Sequence, residues 1–370
     1  MKVHFLDALY DLEKEKGINR EVLLEAIEAA LITGYKKNFN QASNVRVNID
    51  RENGTVKVYA RKTIVEEVED FNTQMSLEAA KRVNPVYQEG DIIEVEVTPK
   101  DFGRIAAQTA KQVVTQRIRE AERGIIYEEY ADRADDIITG LIQRKDAKSV
   151  YIELGKTEAV LPLTEQIPNE IYKPNDRIKV YISKVEKTTK GPQILVSRTH
   201  SGLLKRLFEL EVPEIYEGIV EIKSVAREAG QRSKIAVHSN NQEVDPVGAC
   251  VGPKGLRVQT IVNELKGEKI DIVRWSVDPA EYVANSLSPS KVVNVRINET
   301  DKSAFVVVPD YQLSLAIGKE GQNARLAAKL TNWKIDIKSE SQYELAVQEG
   351  KIEPFESSID FSDSDMFNEE

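Results

Sequence analysis

The stretch VGPKGLRVQTIV, residues 251–262, decides the fold of the second half of the chain, because a related stretch, IGKEGQNARLAA, follows at residues 317–328. Each copy has an apolar residue, a Gly-x-x-Gly loop with a lysine in the gap, and a helical pattern that contains an arginine. Glycines lack Cβ atoms and let another backbone come close. A loop that opens a helix also presents free N–H groups and the positive end of the helix dipole. The repeated loop therefore has the chemistry of a phosphate-binding site.

The sequence around each loop predicts the same order of elements, α-β-β-α-α-β. In both copies the last strand contains the tetrapeptide KIDI, at Lys269–Ile272 and at Lys334–Ile337. From the first loop glycine to the lysine of that tetrapeptide is 17 positions in one copy and 16 in the other. This agreement indicates that residues 201–277 and 278–345 are two tandem copies of one small fold.

Neither loop fits a nucleotide pocket, because a Walker loop needs Gly-Lys-Ser/Thr and a dinucleotide loop needs Gly-x-Gly-x-x-Gly after a strand. The remaining phosphate-bearing partner is a nucleic-acid backbone. KH domains clamp about four single-stranded nucleotides with a Gly-x-x-Gly loop of this kind. The RNA-binding residues predicted in and after the two loops are Gly252, Pro253, Lys254, Gly255, Arg257, Gly318, Lys319, Glu320, Gly321 and Arg325.

The charges in this region predict modest binding. Residues 201–345 hold 19 basic and 20 acidic side chains, and Glu320 within the second loop opposes phosphate. We therefore expect weak affinity in each repeat and a strong dependence on salt. Two adjacent repeats raise the affinity through effective concentration.

Residues 1–130 predict an α+β domain. A helix is predicted over Arg20–Phe39, followed by a hairpin in which VRVNID and TVKVYARKTIV flank Asn53-Gly54. Further along, SLEAAKRV predicts a short helix with Ser76 as its N-cap, and IIEVEV predicts another strand. A long, highly charged helical pattern from Phe102 to about Tyr130 connects this domain to the next one.

Residues 135–200 predict a small β-barrel, because several short strand patterns follow one another closely. OB-type barrels bind single strands by stacking bases on aromatic rings beside basic groups. Tyr151, with Lys148 nearby, is the first candidate for such a contact, and Tyr181 is the second. The alternative is that each tyrosine packs into the barrel wall.

Composition excludes several other functions. The single cysteine, Cys250, lies in an apolar run and is expected to be buried, while three histidines and one cysteine argue against a zinc site. We therefore predict no catalytic thiol, no metal and no cofactor. The chain has no run of 18 apolar residues, and its acidic N-terminus does not resemble a signal peptide, so we expect a cytoplasmic protein without a membrane partner.

The net charge of −10 is concentrated at the C-terminus. Residues 349–370 contain eight Asp or Glu and one Lys, a net charge of −7, so the remaining 348 residues carry only −3. Residues 346–370 are accordingly predicted to form an acidic, disordered tail.

The predicted order is an α+β domain, a long helix, a barrel and two KH units. The chain resembles the NusA family of bacterial transcription factors along about residues 1–345. The most specific stretches are DFGRIAAQTAKQVVTQRIREAERG, DIITGLIQR, PVGACVGPKGLRVQTIVNELKGEKIDIV and LSLAIGKEGQNARLAAKLTNWKIDI. The resemblance implies an RNA polymerase-binding domain with its long helix at 1–130, an S1-type OB-fold barrel at 135–200, and prokaryotic-type KH domains at 201–277 and 278–345.

The resemblance also implies a function. Members of the family dock on bacterial RNA polymerase near the RNA exit channel, at the flap of the β subunit, and bind nascent single-stranded RNA. They lengthen hairpin-dependent pauses, promote intrinsic termination and join other Nus factors in antitermination complexes, without catalytic activity. Some relatives carry extra acidic repeats after the second KH domain, and this chain has only the short tail.

Two alternatives remain open at this point. KH and S1-type domains also accompany a phosphorolytic ribonuclease, but there KH precedes S1 behind a large catalytic core, and only about 130 residues precede the barrel here. A ribosome-associated RNA-binding factor is the other alternative. Co-sedimentation with ribosomes or with polymerase distinguishes the two partners.

Overall fold

The structure is a computed structural model that describes residues 9–11, 13–14, 18–39, 44–100 and 102–355. The chain divides into two compact units, residues 1–128 and 129–370, and each is described by itself. Residues 1–8 and tail residues 356–370 lie outside the described residues.

The first unit is a four-stranded sheet covered by helices. Its strand β2 pairs antiparallel with β1 and β4 and parallel with β3. Buried side chains of α1 and β1 pack with Phe102 at the start of α3 to form the main core. The predicted hairpin is confirmed, as are the IIEVEV strand and the Ser76 cap, whose hydroxyl accepts from Ala79 N. The elements are α1 Arg20–Phe39, β1 Val45–Ile49, β2 Val56–Val65, β3 Gln74–Ser76, α2 Leu77–Val83, β4 Ile92–Glu96 and α3 Phe102–Ala131.

The second unit begins with the predicted barrel. Its strands are β5 Ile137–Lys145, β6 Ser149–Glu153, β7 Glu158–Pro162, β8 Arg177–Thr188 and β9 Gly191–Ser197. They close in the order β5-β6-β7-β9-β8, and among these five described barrel strands only β7 and β9 pair in parallel. Alternating residues of these strands point inward and are fully buried, as in other small barrels.

Two three-stranded sheets follow, one in each repeat. In each sheet the middle strand pairs antiparallel with the strand before it and parallel with the KIDI strand. The predicted duplication is thus confirmed at the level of topology. The first repeat contains α4 Ser201–Glu211, α5 Pro213–Tyr216, β10 Val220–Glu228, β11 Arg232–Ser239, α6 Pro246–Val251, α7 Leu256–Glu264 and β12 Lys269–Arg274. The second contains α8 Pro279–Ser286, β13 Asn294–Asn298, β14 Ser303–Val308, α9 Leu313–Ile317, α10 Gln322–Thr331, β15 Lys334–Ser339 and α11 Glu340–Gln348.

A buried arginine joins the barrel to the first repeat. The side chain of Arg198 is fully buried and forms an ion pair with Glu170. Its Nη1 donates to Lys179 O over 2.8 Å, and its Nη2 donates to Glu264 O, at the end of α7, over 3.0 Å. Because a buried guanidinium is costly unless every donor is satisfied, these bonds fix the barrel against the repeat.

The start of the tail differs from its prediction. Residues 346–348 continue α11, which begins with a capping box between Ser339 and Gln342. Phe355 then packs against Tyr343 and Phe305. The prediction of disorder is therefore wrong for residues 346–355, because apolar and aromatic side chains in this stretch find partners on the second repeat.

Candidate nucleic-acid interface

The first loop, residues 252–255, has a backbone that depends on glycine. Helix α6 ends at Gly252, which has φ 73° and ψ 175°, and its N–H donates to Gly248 O over 2.8 Å. Lys254 and Gly255 are then both left-handed, with φ 52° and 71°. Helix α7 starts immediately afterwards, so the loop leads into a helix N-terminus as the sequence predicts.

The second loop, residues 318–321, repeats this backbone. Gly318 has φ 75° and ψ 173°, while Glu320 and Gly321 are left-handed, with φ 53° and 74°. In both loops the fourth residue donates its N–H to the carbonyl of the first, over 3.0 and 3.1 Å. Two sequences that share only their glycines therefore adopt one conformation.

The first position of each loop requires glycine for two reasons: its backbone conformation and the lack of room for a Cβ atom. A Cβ added to Gly252 would lie 2.6 Å from Cγ of Arg257, and one added to Gly318 would lie 2.9 Å from Cβ of Asn323. Among the described residues, and apart from the glycine and its chain neighbours, no atom lies within 4 Å of the position that a Cβ would take on Gly255 or Gly321. The second glycine therefore faces open space, where a ligand backbone can approach.

The two loops differ in charge. Lys254 and Lys319 are exposed, and within the described residues neither ammonium group has a hydrogen bond or ion pair. Glu320 in the second loop occupies the position of Lys254 in the first, whereas Lys319 occupies the position of Pro253. The first loop therefore carries a charge of +1 and the second carries none.

Arg257, predicted to contact phosphate, is held by the protein itself. Its Nη1 lies 2.9 Å from Glu214 Oε2 and donates to Ala249 O over 2.6 Å. The guanidinium thus ties α5 and α6 to the base of the first loop. Arg257 thus braces the loop beneath Gly252, and its contact with phosphate stays a prediction.

Arg325 is also paired inside the protein. Its Nε donates to Glu228 Oε1 of the first repeat over 2.7 Å, and its Nη1 donates to Glu320 O over 3.2 Å. The hydrogen bond from Arg325 lowers the pKa of Glu228, which also accepts from Gln322 over 2.9 Å. Arg325 therefore links the two repeats, while its side chain is 48% exposed and its contact with phosphate stays a prediction.

Asn323 is a site residue that the sequence patterns did not reveal. It follows Gly318 by five positions, as Arg257 follows Gly252. Its buried Nδ2 donates to Leu287 O and Ala316 O, each over 3.0 Å. The equal spacing of Arg257 and Asn323 from their loops is present in the sequence. Because one residue is arginine and the other asparagine, the sequence did not indicate that both brace a loop.

On the barrel, Tyr151 lies in β6 and is half-buried. The guanidinium carbon of Arg144 lies 3.6 Å from the centre of its ring, so a cation covers one ring face. Lys148 is exposed in the preceding turn, where its N–H donates to Asp146 Oδ1 over 2.8 Å. The hydrogen bond with Asp146 raises the pKa of the Tyr151 hydroxyl.

Tyr181 is buried, stacks on His200 with ring centres 4.4 Å apart, and donates to Asp135 Oδ1 over 2.8 Å. It is therefore part of the barrel wall, as the alternative interpretation predicted.

An open cleft of about 630 Å³ lies elsewhere on the barrel, between the β6–β7 and β8–β9 turns. Its polar lining includes Gln143, Lys156, Thr188 and Lys190.

The described part of the chain shows no membrane-spanning helix and no metal-binding cluster, and its cysteine is buried. No helix there is long and apolar enough to cross a membrane. No group of three or more His, Cys, Asp or Glu side chains is placed to hold a metal ion within residues 9–355 as described. Cys250 is buried as predicted, and burial raises the pKa of its thiol to about 12.

The closed barrel and the paired Gly-x-x-Gly units define a protein built from an S1 domain and two KH domains. Comparison with known families agrees. The chain matches the NusA N-terminal domain over residues 4–124, the S1 RNA binding domain over 131–197, and the NusA-like first and second KH domains over 198–275 and 279–345. These matches span both compact units.

Similar proteins carry the same architecture. The chain is 73% identical over 342 residues to the transcription termination/antitermination protein NusA of Halalkalibacterium halodurans, covering 92% of this chain and 90% of that protein. It is 70% identical to the Bacillus subtilis protein of the same name, covering 92% of each, and 45% identical to the Thermus thermophilus one, covering 90% and 89%. The chain belongs to the NusA family.

Proposed function

We propose that this chain is a non-enzymatic transcription factor that binds RNA polymerase and nascent RNA, and so modulates pausing, intrinsic termination and antitermination. The observation that carries the proposal is the pair of loops with one backbone conformation, each open at its second glycine. The names of the relatives, which describe transcription termination and antitermination, support the same function.

The RNA path follows from the order of the sites. The barrel and the two repeats belong to one compact unit, in which Arg198 fixes the barrel to the first repeat and Arg325 links the repeats. We propose that single-stranded transcript contacts Tyr151 and Lys148 on the barrel and then the two loops. Backbone N–H groups and the exposed lysines Lys254 and Lys319 neutralise phosphates along this path.

We propose that the first unit tethers the chain to bacterial RNA polymerase at the β-subunit flap near the RNA exit channel. RNA held close to that channel stabilises a pause hairpin or its flanks, which delays nucleotide addition. Other Nus factors join the assembly in antitermination. The proposed location is the cytoplasm, and the proposed domain limits are 1–130, 135–200, 201–277 and 278–345, followed by the acidic tail.

Single-round transcription on a template with a hairpin pause tests this function. We expect the full chain to lengthen the pause half-life and a variant lacking residues 1–128 to lose that effect while it still binds RNA, because residues 129–370 form a compact unit. An unchanged pause with intact RNA binding would contradict the proposal. Co-sedimentation with ribosomes in that case would favour the ribosome-associated alternative.

A further inference from the structure

The sheets of the two repeats can be compared position by position. In each repeat the middle strand pairs with the KIDI strand in the same parallel register. Lys234 and Phe305 each lie opposite the aspartate of that tetrapeptide and are therefore equivalent. Their antiparallel neighbours, Ala226 and Arg296, are equivalent as well. These residues belong to the outer face of each sheet, opposite the face that packs on α4–α7 in the first repeat and on α8–α10 in the second. Helix α11, which carries Tyr343, lies beside the outer face of the second sheet.

In the first repeat this outer face is covered by protein. Lys234 is fully buried, and its Nζ donates to Ser288 O of the second repeat over 2.6 Å. Ala226 packs in a buried cluster with Leu326 and Leu330 of α10. The outer face of the first sheet is thus a protein-packing surface.

In the second repeat the equivalent face carries an aromatic and cationic patch. We call Arg296, Phe305, Lys338 and Tyr343 the outer patch. The rings of Phe305 and Tyr343 lie 6.2 Å apart, and Lys338 Nζ lies 5.8 Å from the centre of the Phe305 ring. Within the described residues no third repeat follows to cover this face.

The chain places a short peptide of its own on the outer patch. This cap segment is Glu353–Phe355. The ring centre of Phe355 lies 5.2 Å from that of Tyr343 and 6.3 Å from that of Phe305, and the guanidinium carbon of Arg296 lies 4.5 Å from it. The phenylalanine ring is therefore held between aromatic rings and a cation.

The main chain of the cap segment is recognised too. Arg296 Nη2 donates to Glu353 O over 2.7 Å, and Phe355 N donates to the Tyr343 hydroxyl over 3.0 Å. The outer patch thus contacts one carbonyl, one N–H and one aromatic ring of the cap segment. Grooves that bind linear peptides combine main-chain hydrogen bonds with a side-chain contact in the same way.

We propose that the outer patch is a docking site for an acidic, phenylalanine-bearing peptide of a partner protein, and that the cap segment occupies this site in cis. Arg296 and Lys338 select acidic flanks, and in the sequence Phe355 lies between Glu353 of the cap segment and Glu356, which follows it. A protein ligand is favoured over RNA because both hydrogen bonds join the patch to peptide main chain. The equivalent face of the first repeat is also covered by protein.

Fluorescence anisotropy with a labelled peptide of the chain's own sequence, IEPFESSID, residues 352–360, tests the proposal. The peptide is titrated with the full-length chain and with its Phe355→Ala variant. A tethered segment has an effective concentration of about 1 mM, so the wild-type cap segment competes and we expect at least about tenfold weaker binding to the wild type. Phe361→Ala, a change of the same kind outside the described residues, is the matched control and is expected to behave as wild type.

Two further measurements keep the test decisive. Adding Arg296→Ala to Phe355→Ala is expected to abolish binding, and a peptide with alanine in place of its phenylalanine is expected not to bind. If Phe355→Ala unfolds the chain, excess peptide is added to the wild type, where displacement of the cap segment is expected to speed tryptic cleavage after Lys351. No binding to a folded Phe355→Ala variant, binding that survives Arg296→Ala, or cleavage that the peptide does not change would each overturn the proposal. A gain in affinity for single-stranded RNA in place of peptide would also overturn it and assign the patch to RNA.

Discussion

Lys254 and Glu320 occupy the same position in the two loops, with φ 52° and 53°, yet carry opposite charges. A common backbone therefore presents two different electrostatic environments to a ligand. Phosphate is attracted at the third position of the first loop and repelled at that position in the second. We infer that the first repeat holds RNA backbone more strongly than the second.

The first prediction concerns this charge difference. Glu320→Lys is expected to tighten binding of single-stranded RNA, and Lys254→Glu to weaken it, because each changes the charge beside a phosphate. The slope of log affinity against log salt is expected to become steeper in Glu320→Lys and shallower in Lys254→Glu, by about 0.7 for each phosphate whose neutralisation changes. Lys302→Glu is the matched control, since Lys302 is exposed and also has a positive φ of 47° but lies in the β13–β14 turn. Equal effects of Lys254→Glu and Lys302→Glu would argue that only net charge matters.

The second prediction separates a brace from a phosphate contact at Arg257. Glu214→Gln removes the charge that holds the Arg257 guanidinium. If Arg257 braces the loop, RNA binding weakens relative to Glu217→Gln, an exposed neighbour with the same change of charge. If Arg257 instead contacts phosphate, freeing it strengthens binding relative to that control. Titrations of one RNA with both variants decide between these outcomes.

The third prediction compares the two glycines of the first loop. Gly252→Ala places a Cβ against the anchored Arg257 in a conformation that only glycine adopts readily, so we expect a loss of about 2–3 kcal/mol in the free energy of unfolding. Gly255→Ala meets no atom and is expected to cost about 1 kcal/mol for its left-handed backbone. Urea unfolding followed by tryptophan fluorescence reports on residues 129–370, because Trp275 and Trp333 are the only tryptophans. Equal losses for the two variants would show that the contact with Arg257 is unimportant.

The fourth prediction concerns the buried arginine between the barrel and the first repeat. Arg198→Met leaves the Glu170 carboxylate buried without its partner, and we expect a loss of about 3–5 kcal/mol in the free energy of unfolding. Arg198→Met combined with Glu170→Met is expected to recover most of that loss, because no unpaired charge remains. The same fluorescence measurement applies. If the double variant is as unstable as the single one, the lost hydrogen bonds to Lys179 O and Glu264 O, and not the unpaired carboxylate, cause most of the loss in the free energy of unfolding.

Much of this architecture could be predicted from local patterns. The repeated spacing from Gly252 and Gly318 to the KIDI strands predicted both loops, and Asn53-Gly54 predicted the first hairpin. These features depend on residues close in sequence, where backbone preference and hydrophobic periodicity are informative.

The tertiary partners of the charged residues could not be predicted in this way. Glu214 lies 43 positions from Arg257, and Glu228 lies 97 positions from Arg325. Periodicity says nothing about which distant carboxylate meets a given guanidinium. The position of the cap segment could not be predicted from the sequence either. The acidic composition around Phe355 predicted a disordered tail, although the Phe355 ring has a well-defined site on the second repeat.

Both loops are proposed to clamp RNA backbone. The most direct test measures the affinity of a single-stranded RNA of about 12 nucleotides, at about 50 mM salt, for the wild type and for a chain with Asp in place of Pro253, Lys254, Lys319 and Glu320. All four positions are exposed, so the variant is expected to keep its fold, as checked by circular dichroism. We predict at least about a tenfold loss of affinity, because four carboxylates then face the phosphates. An affinity within about twofold of the wild type, in a folded variant, would contradict the claim.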